Sequence, residues 1–453
     1  MKVENWKGTI SYHPHSVEKV TAVEDIVRIV RDTTRYPSPV RAKGSHHSTT
    51  KCIVAEGGTV LDMTAMNRTL HIDKEQMTIT MEAGKLHLDA ARELEAAGLQ
   101  FYVNVEIGNM TVGSGACCGT KDASYFSGGA WEFGQVASYV VGMKLVQADG
   151  SILEVTEESD PELMVLLRSS YGMLGVVYEV TFKVKPLQAM KFEHRAYLVD
   201  EFADKLDSLV KQDKSMMLYL FPFRNRVVVE YRSDGEGSPR SGTWQWAMRN
   251  YSWKTISPAW GKVVTRFIPG KWLKSKLVNV FNFFVQLILV RLIRGSAVSP
   301  ADQIIRYPEK AGFASYTFSI WSFPMEEYPE TIKAYFKFCR DYFQETGYRC
   351  DMLNVGYHIA QDNSSLFSYT RKGPALTLDP VSTGSAGWPE FLTAYNEFCG
   401  LHHGTPLFNQ TRGITPAQAK MAFGEEIGIF QNHRRQMDPG GRFYTPYFQY
   451  LFE

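Results

Sequence analysis

Apolar residues at helical spacing and short alternating runs dominate the first 190 positions of the chain. Residues 22–34 place valine and isoleucine at intervals of three and four, which predicts an amphipathic helix that Tyr36-Pro37-Ser38-Pro39 would end. A second helix is predicted over 86–97. Strands are predicted at 40–43, 59–63, 77–81, 140–147 and 176–184. Short strands with few helices, and no regular strand–helix–strand cadence, predict an α+β fold rather than a doubly wound sheet.

The composition changes most sharply between residues 239 and 294, a stretch that we call the basic segment. It contains ten basic residues and no acidic residue, whereas the rest of the chain has 39 basic and 48 acidic residues. Five of the nine tryptophans also lie in it.

Residues 277–290 of the basic segment are strongly apolar, with a narrow polar stripe at Ser275, Asn279, Asn282 and Gln286. Fourteen helical residues extend about 21 Å, less than the ~30 Å hydrocarbon core of a bilayer, so we do not predict a membrane span. Two interpretations stay open. Basic flanks and tryptophans favour a helix lying in an anionic membrane surface, and the alternative is a helix in the core of a second domain.

The overall composition is that of a large globular protein. Of the 453 residues, 44% are hydrophobic and 13% aromatic, which excludes a disordered or collagen-like chain. The length predicts two or three domains, and a net charge of +1 argues against a nucleic-acid binder. Six cysteines without a C-x-x-C pair, and an N-terminus without a secretory pattern, predict a cytoplasmic protein, with peripheral membrane attachment as a variant.

Glycine-rich loops are the main sign of a cofactor. No G-x-x-x-x-G-K-[ST] occurs, and the run from Gly113 to Gly119 is one residue too long for a dinucleotide fingerprint, so an NAD-type domain is not predicted. Two loops, 44–48 and 113–119, together with Gly172 and Gly175, could instead wrap an anionic cofactor. The paired histidines at 13/15 and 402/403 lack the spacing of a metal site, so no metal is predicted.

Seven segments carry a family resemblance, namely VRAKGSHHS, AEGGTVLDMTAMNRTLHID, MTITMEAGKLHLDAARELEAAGL, TVGSGACCGT, VQADGSILEVT, SSYGMLGVVYEVTFKV and, at the C-terminus, DPGGRFYTPYFQYLF. In this order and spacing they resemble the FAD-linked oxidases of the vanillyl-alcohol oxidase and p-cresol methylhydroxylase type, most of all the aldonolactone and alditol oxidase branch. The resemblance implies an FAD-binding domain over 1–187, completed by 403–453. It also implies a cap domain over 188–402, built on an antiparallel sheet.

The resemblance further implies FAD as the cofactor. In the family branch, the histidine of the G-x-x-H-S loop is often bonded to the flavin, and this position falls on His47, with His46 as the lesser candidate. A neutral imidazole is the nucleophile that such a bond needs. A second, cysteine tether is not expected, because its position is Asn109. The FAD-binding residues predicted in this way are Lys43, Gly44, Ser45, His46, His47, Ser48, Gly113, Ser114, Cys118, Gly119, Thr120, Gly172, Gly175 and Val176.

The substrate side departs from the family. The glutamate and arginine of the polyol-oxidising members fall on Val355 and Tyr357, and their lysine falls on Gln410. The groups that would hold an array of sugar hydroxyls are therefore missing at these positions, which predicts a hydrophobic small-molecule substrate. Tyr357, His358 and Gln410 become the candidate catalytic residues, with His358 as a candidate base.

The function implied is oxidation of an alcohol by hydride transfer to FAD, with reoxidation by dioxygen or another acceptor. One alternative is a membrane-associated flavoprotein that reduces or desaturates a carbon–carbon bond of a lipid or sterol. A non-catalytic binding protein that keeps the fold is the third hypothesis.

Overall fold

The computed structural model describes all 453 residues. The N-terminal part contains a small parallel sheet and a larger antiparallel sheet. Its strands are β1 (Val3–Glu4), β2 (Ser11–Tyr12), β3 (Ser16–Lys19), β4 (Val40–Lys43), β5 (Thr59–Asp62), β6 (Thr69–Asp73), β7 (Thr78–Glu82), β8 (Leu99–Phe101), β9 (Phe126–Ser127), β10 (Ala130–Trp131), β11 (Val140–Val146), β12 (Ile152–Thr156) and β13 (Val176–Pro186). Its helices are α1 (Val23–Arg31), α2 (His87–Ala96), α3 (Val112–Cys117) and α4 (Pro161–Leu167).

The two sheets carry the loops that later form the cofactor site. The parallel sheet has the order β3-β5-β4, and the antiparallel sheet has the order β12-β11-β13-β7-β6, with β8 paired to β13. Central β5 is almost entirely buried, as expected of a strand with neighbours on both sides. Helix α1 buries Ile26, Ile29 and Val30 against this layer, which is the apolar face that its sequence spacing predicts.

The middle of the chain forms a second domain around one eight-stranded antiparallel sheet. The strands are β14 (Met190–Leu198), β15 (Ser215–Phe221), β16 (Arg226–Asp234), β17 (Gly295–Val298), β18 (Thr317–Phe318), β19 (Trp321–Pro324), β20 (Asn354–Ile359), β21 (Ala375–Leu378), β22 (Val381–Ser382) and β23 (Thr405–Pro406). The main sheet has the order β17-β14-β16-β15-β20-β21-β19-β23. This is the predicted cap sheet, and the α+β fold class is confirmed.

Helices cover the cap sheet. They are α5 (Val199–Val210), α6 (Trp244–Tyr251), α7 (Ser257–Phe267), α8 (Lys271–Leu292), α9 (Tyr328–Thr346) and α10 (Trp388–Leu401). The basic segment thus folds as α6, a π-helical turn at Ser252–Ile256, α7 and α8. Helix α8 has 22 residues rather than the fourteen of the apolar run, because Lys271 to Lys276 extend it at the N-terminal end and Arg291 and Leu292 at the C-terminal end.

The C-terminal residues return to the first domain through α11 (Pro416–Met437) and α12 (Pro446–Phe452). Arg442 donates hydrogen bonds to the carbonyl oxygens of Ile29 (2.8 Å) and Val30 (3.1 Å), and its own carbonyl accepts from the N–H of Val40 (2.8 Å). Strand β23 still pairs with β19 of the cap, so the chain leaves the cap sheet after Pro406.

Candidate active site

Two cavities lie along the first domain, and the first of them is lined by glycine. We call it the glycine cavity. It encloses about 540 Å³, its mouth included, and the residues that line it include Arg41, Gly44, Thr111, Gly113, Ser114, Cys117, Cys118, Tyr171, Gly172 and Gly175.

Glycine is needed at two positions of this cavity because atoms of neighbouring segments lie where a Cβ would be. A Cβ on Gly44 would lie 2.4 Å from Thr111 Oγ1, and one on Gly113 would lie 2.8 Å from Ala83 Cβ. The backbone N–H groups of 44–48 have no hydrogen-bond acceptor within the protein. A run of free amides beside a glycine-lined cavity is typical of an anion-binding loop.

A buried arginine lies at the same cavity. The Arg41 guanidinium donates to the carbonyl oxygens of Phe443 (2.7 Å), Gly172 (2.9 Å) and Tyr171, while its Nε has no partner. No carboxylate pairs with it, although only 3% of the residue is exposed. A buried cation without a counter-ion favours an anionic ligand.

The histidine pair follows the same loop. His47 stacks on Trp6 at 5.0 Å between ring centroids and lines a recess with Tyr307, Tyr316 and Thr49. Burial lowers the pKa of His47 to about 4, so its imidazole is neutral near pH 7. His46 points instead into the interior against Tyr12, with a left-handed backbone (φ 57°) and no partner for either ring nitrogen.

The second cavity lies between the first domain and the cap, and we call it the cap cavity. It encloses about 680 Å³ with its mouth and shares Ile107, Tyr316 and Phe318 with the recess that His47 lines. The first domain contributes Val105, Glu106, Ile107, Gly119, Thr120, Lys121 and Asp122, and the later part of the chain contributes Trp253, Tyr316, Phe318, Ile320, Val355, Tyr357, Asp379, Val381 and Gln410.

One ion pair bridges the cap cavity. Lys121 Nζ lies 2.7 Å from Asp379 Oδ2, and their side chains are 4% and 3% exposed. The ammonium also lies 3.5 Å from the centroid of the Tyr357 ring. Asp379 Oδ1 has no partner. Burial raises the pKa of Asp379 to about 6 against the opposing effect of Lys121, so a carboxylate with one free oxygen is poised near neutral pH.

Backbone pairing holds Asp379 in place. It follows β21, and its N–H and carbonyl oxygen bond to Val355 of β20 at 2.8 and 3.0 Å. Alternation along β20 places Val355 and Tyr357 on the cavity side of the sheet.

A second charged cluster supports the cavity floor. Glu106 accepts from Arg249 Nη2 at 2.6 Å, and Glu230 pairs with Arg232 (2.7 Å) and Arg249 (3.3 Å). Burial acts to raise the pKa of Glu230, but the two guanidinium groups hold it well below its ordinary value. Asp122 completes the cluster at 2.8 Å from Arg232.

Comparison with known proteins agrees with this geometry. The FAD binding domain family matches residues 14–156. L-gulonolactone oxidase of Mus musculus is 28% identical over 247 residues, which are 54% of each chain. L-gulono-1,4-lactone dehydrogenase of Mycobacterium tuberculosis is 24% identical over 61% of this chain and 66% of its own length. The chain therefore contains an FAD-binding domain and is similar to FAD-dependent oxidoreductases of the vanillyl-alcohol oxidase and p-cresol methylhydroxylase type.

A solved structure shares the fold over the whole chain. A cholesterol oxidase from Brevibacterium sterolicum superposes with a TM-score of 0.78 at 13% identity, covering 100% of this chain and 97% of its own. The alignment with the mouse enzyme spans little more than half of that relative's length.

FAD fits the residues that the structure brings together. The pyrophosphate is an anion, and the glycine cavity offers the free amides of 44–48 and the unpaired charge of Arg41. Of the predicted FAD-binding residues, six line the glycine cavity: Gly44, Gly113, Ser114, Cys118, Gly172 and Gly175. Gly119 and Thr120 line the cap cavity, and His47 lines the recess between the two domains.

Other predicted residues lie elsewhere. Lys43 forms an ion pair with Asp62 at 2.9 Å, and Val176 is buried in the core beside α1. Ser45, His46 and Ser48 line neither the two cavities nor the recess, although their backbone amides are free to bind FAD.

The candidate catalytic residues divide in the same way. Tyr357 and Gln410 line the cap cavity. His358 lies on the opposite face of β20, with its ring 4.7 Å from Trp131, because neighbouring strand residues point to opposite sides of a sheet. His358 therefore does not line the cap cavity, and its role as a base stays a prediction that this placement disfavours.

Charged residues also line the cap cavity, which the sequence did not lead us to expect. The family positions at 355, 357 and 410 do lack charge, but Lys121, Asp379 and Glu106 bring charge to the same cavity from other elements. Arg41, Lys121 and Asp379 were missed from the sequence. The sequence signals were weak: Arg41 lies in β4 just before the Gly44 loop, Lys121 follows the glycine run 113–119, and Asp379 follows β21.

Proposed function

We propose that the chain oxidises the CH–OH group of a small-molecule alcohol, with the cap cavity as the substrate site. The observation that carries the proposal is the buried Lys121–Asp379 pair with its free carboxylate oxygen, in a cavity that shares three lining residues with the His47 recess. Bound FAD supplies the two-electron acceptor for the hydride that leaves the substrate carbon.

The chain's own residues handle the proton and the orientation. Asp379 Oδ1 accepts the hydrogen bond of the substrate hydroxyl and takes its proton as the carbonyl product forms. Lys121 holds the carboxylate in position and favours its charged form. Tyr357 and the unpartnered Gln410 Oε1 orient the substrate. The apolar side chains of Trp253 and Phe318, which line the same cavity, exclude water from the substrate site.

We propose a largely apolar substrate body, because aromatic and aliphatic side chains form most of the cavity wall. Each sugar hydroxyl left without a partner in such a wall would cost about 1 to 3 kcal/mol. A second candidate is a hydroxylated lactone. Glu106, which also lines the cavity, favours it, as does the similarity to L-gulonolactone oxidase of Mus musculus.

We also propose a covalent link between His47 and FAD. The support is the neutral imidazole in the recess that adjoins the cap cavity. The His47→Ala variant should release all flavin on acid precipitation. His46→Asn, which tolerates the left-handed backbone at that position, is the matched control and should retain it. Flavin that stays with the precipitated His47→Ala chain would place the link elsewhere.

A substrate panel under turnover, with dioxygen or an artificial dye as acceptor, tests the proposed function. Apolar secondary or ring alcohols should give higher kcat/KM than sugar lactones, and the preferred acceptor separates an oxidase from a dehydrogenase. Higher kcat/KM for lactones would favour the second candidate. Inactivity with both classes, together with reoxidation of the reduced protein by an unsaturated lipid, would favour the carbon–carbon chemistry instead.

A further inference from the structure

Exposed apolar side chains concentrate on the basic segment. The chain exposes 23 large hydrophobic residues, and thirteen of them lie between Trp244 and Leu292. That stretch is about a tenth of the chain, so this concentration is not an ordinary scatter of surface hydrophobes.

Helix α8 buries part of its polar stripe and exposes many apolar side chains, which is the reverse of a typical helix on the surface of a water-soluble domain. Its buried positions include Ser275 and Asn282, which belong to the polar stripe of the sequence. Its exposed positions include Leu273, Val280, Phe284 and Ile288, which recur at intervals of seven and four and so form one stripe. The apolar stripe of α8 therefore faces outward.

Specific contacts fix this orientation. Arg349 donates to Ser275 Oγ (2.8 Å), to the Ser275 carbonyl oxygen (3.2 Å) and to Asn279 Oδ1 (2.9 Å). Arg224 Nε lies 3.4 Å from Gln286 Oε1. Because the polar stripe is bonded to the cap, α8 cannot rotate its apolar side inward without losing these bonds.

Most of the positive charge in the basic segment is not balanced by carboxylates of the protein. Of its ten cations, Arg249 alone forms an ion pair with a carboxylate. The other nine form no ion pair, and four of the lysines donate to carbonyl or hydroxyl oxygens instead. Helices α7 and α8 pack on each other through Trp260 and Phe281, whose ring centroids are 5.8 Å apart.

A groove beside α8 combines the two features. It is open, with about 1310 Å³ of empty space, and apolar side chains from α8 and α9 form one side of it. Three cations, Arg224, Lys276 and Arg340, line it and no acidic residue does. The negative charge of lipid phosphate complements these cations, and acyl chains complement the apolar side chains.

We propose that α8 and its neighbours in the basic segment dock on the surface of an anionic phospholipid membrane. By length and composition, α8 could also cross a bilayer. The hydrogen bonds from Arg349 and Arg224 hold one side of the helix against the cap, so the helix lies along the surface with its apolar stripe in the lipid. The other interpretation of the sequence, a helix in the domain core, fits only the side of α8 that buries Ser275, Val278, Asn282 and Leu289.

The docked segment also contributes to the substrate site. Trp253, between α6 and α7, lines the cap cavity and donates to Tyr316 Oη at 3.0 Å. The inference does not rest on the proposed chemistry, because vesicle binding can be measured without turnover.

Co-sedimentation of the flavin-loaded protein with phospholipid vesicles tests the proposal. Binding should be strong to vesicles that contain phosphatidylserine, weak to pure phosphatidylcholine vesicles, and reduced by salt. A triple variant with Arg266→Gln, Lys276→Gln and Arg291→Gln should bind roughly 100-fold less tightly. The control triple variant, Lys74→Gln, Lys183→Gln and Lys372→Gln, removes three exposed cations elsewhere and should bind as the unaltered chain does.

A second pair of variants tests the apolar stripe. Phe284→Ser with Ile288→Ser should lower vesicle affinity at least tenfold, because two apolar side chains that become partly buried in the lipid are lost. Met421→Ser with Ile429→Ser removes two exposed hydrophobes from α11 and should leave affinity unchanged.

The apolar stripe of α8 could instead be covered by a second copy of the chain. Sedimentation velocity without lipid tests this alternative by measuring whether the protein is a monomer or a dimer. A monomer that binds anionic vesicles supports the proposal. A dimer that the Phe284/Ile288 double variant dissociates, with no vesicle binding by either protein, would overturn it. Equal binding to neutral and anionic vesicles would also contradict it.

Discussion

Asp379 is the side chain on which the proposed proton transfer depends. Its pKa of about 6 means that the carboxylate form predominates above that pH and is lost below it. The rate of flavin reduction at limiting substrate should therefore fall about tenfold for each pH unit below about 6. Asp379→Asn should lower this rate by roughly 10²- to 10⁴-fold and remove the acid limb. A pH-independent rate in the unaltered protein between pH 5 and 8 would contradict the assignment.

Lys121 provides the control for that profile. Its charge lowers the pKa of Asp379, so Lys121→Met should move the acid limb to higher pH while the carboxylate remains present. A purely structural role for Lys121 would lower the rate without moving the limb.

Gly44 gives a steric prediction for FAD binding. A Cβ there would lie 2.4 Å from Thr111 Oγ1 and 2.9 Å from its Cγ2, so Gly44→Ala should push the two loops apart and lower the FAD content of the purified protein. Thr111→Ala in the same chain removes both atoms and should restore much of it. Gly428→Ala, in helix α11 with open space around it, should keep full FAD content. Normal FAD content in the Gly44→Ala variant would show that the loops yield.

At the scale of elements, apolar periodicity predicts where helices and strands lie in the sequence, but it does not predict which elements come together in the fold. Helix α1 and strands β4 and β11 lie within a few residues of their predicted bounds, because local apolar spacing specifies them. The Lys121–Asp379 pair joins residues 258 apart in sequence, so no local pattern could bring them together. The glycine loops were predicted because close backbone approach requires glycine wherever the partner lies.

Strand β20 shows why the candidate catalytic residues divided. Tyr357 and His358 are neighbours in the sequence, and which of them faces the cavity depends on the pairing of β20 with β15 and β21. A shift of one residue in this register would exchange them, and the sequence alone does not specify the register.

Helix α8 gives a prediction of stability. Arg349 is half-buried, and desolvation lowers its pKa to about 10, while it makes three hydrogen bonds to the polar stripe. Arg349→Met should lower the free energy of unfolding by about 2 to 3 kcal/mol and expose α8 to trypsin. Arg195→Met, whose exposed side chain pairs with Glu193, should cost less than about 1 kcal/mol. Equal effects of the two variants in urea titrations would contradict the anchoring role.

For the whole molecule, buried histidines predict sensitivity to acid. Burial lowers the pKa of His46 to about 3 and those of His47, His87 and His358 to about 4, all from 6.5. The unfolded chain binds these protons below about pH 6.5 and the folded chain does not until about pH 4. The histidine contribution to stability is therefore present above pH 6.5 and is lost as the pH falls toward 4.

His358→Phe tests this contribution separately from catalysis. The ring lies against Trp131 outside the cap cavity, so kcat/KM should stay within about twofold, while urea unfolding at pH 4.5 should need more denaturant than for the unaltered chain. Loss of activity with unchanged acid stability would return His358 to the list of catalytic candidates.

The most direct test of alcohol oxidation in this molecule is anaerobic mixing of the purified flavoprotein with its best alcohol, with flavin absorbance followed by stopped flow. The same alcohol is then used with deuterium on the carbon that bears the hydroxyl. The account predicts that the alcohol bleaches the flavin and that deuterium slows the bleaching, because that carbon–hydrogen bond breaks in the step. A flavin that no alcohol in the panel bleaches would contradict it.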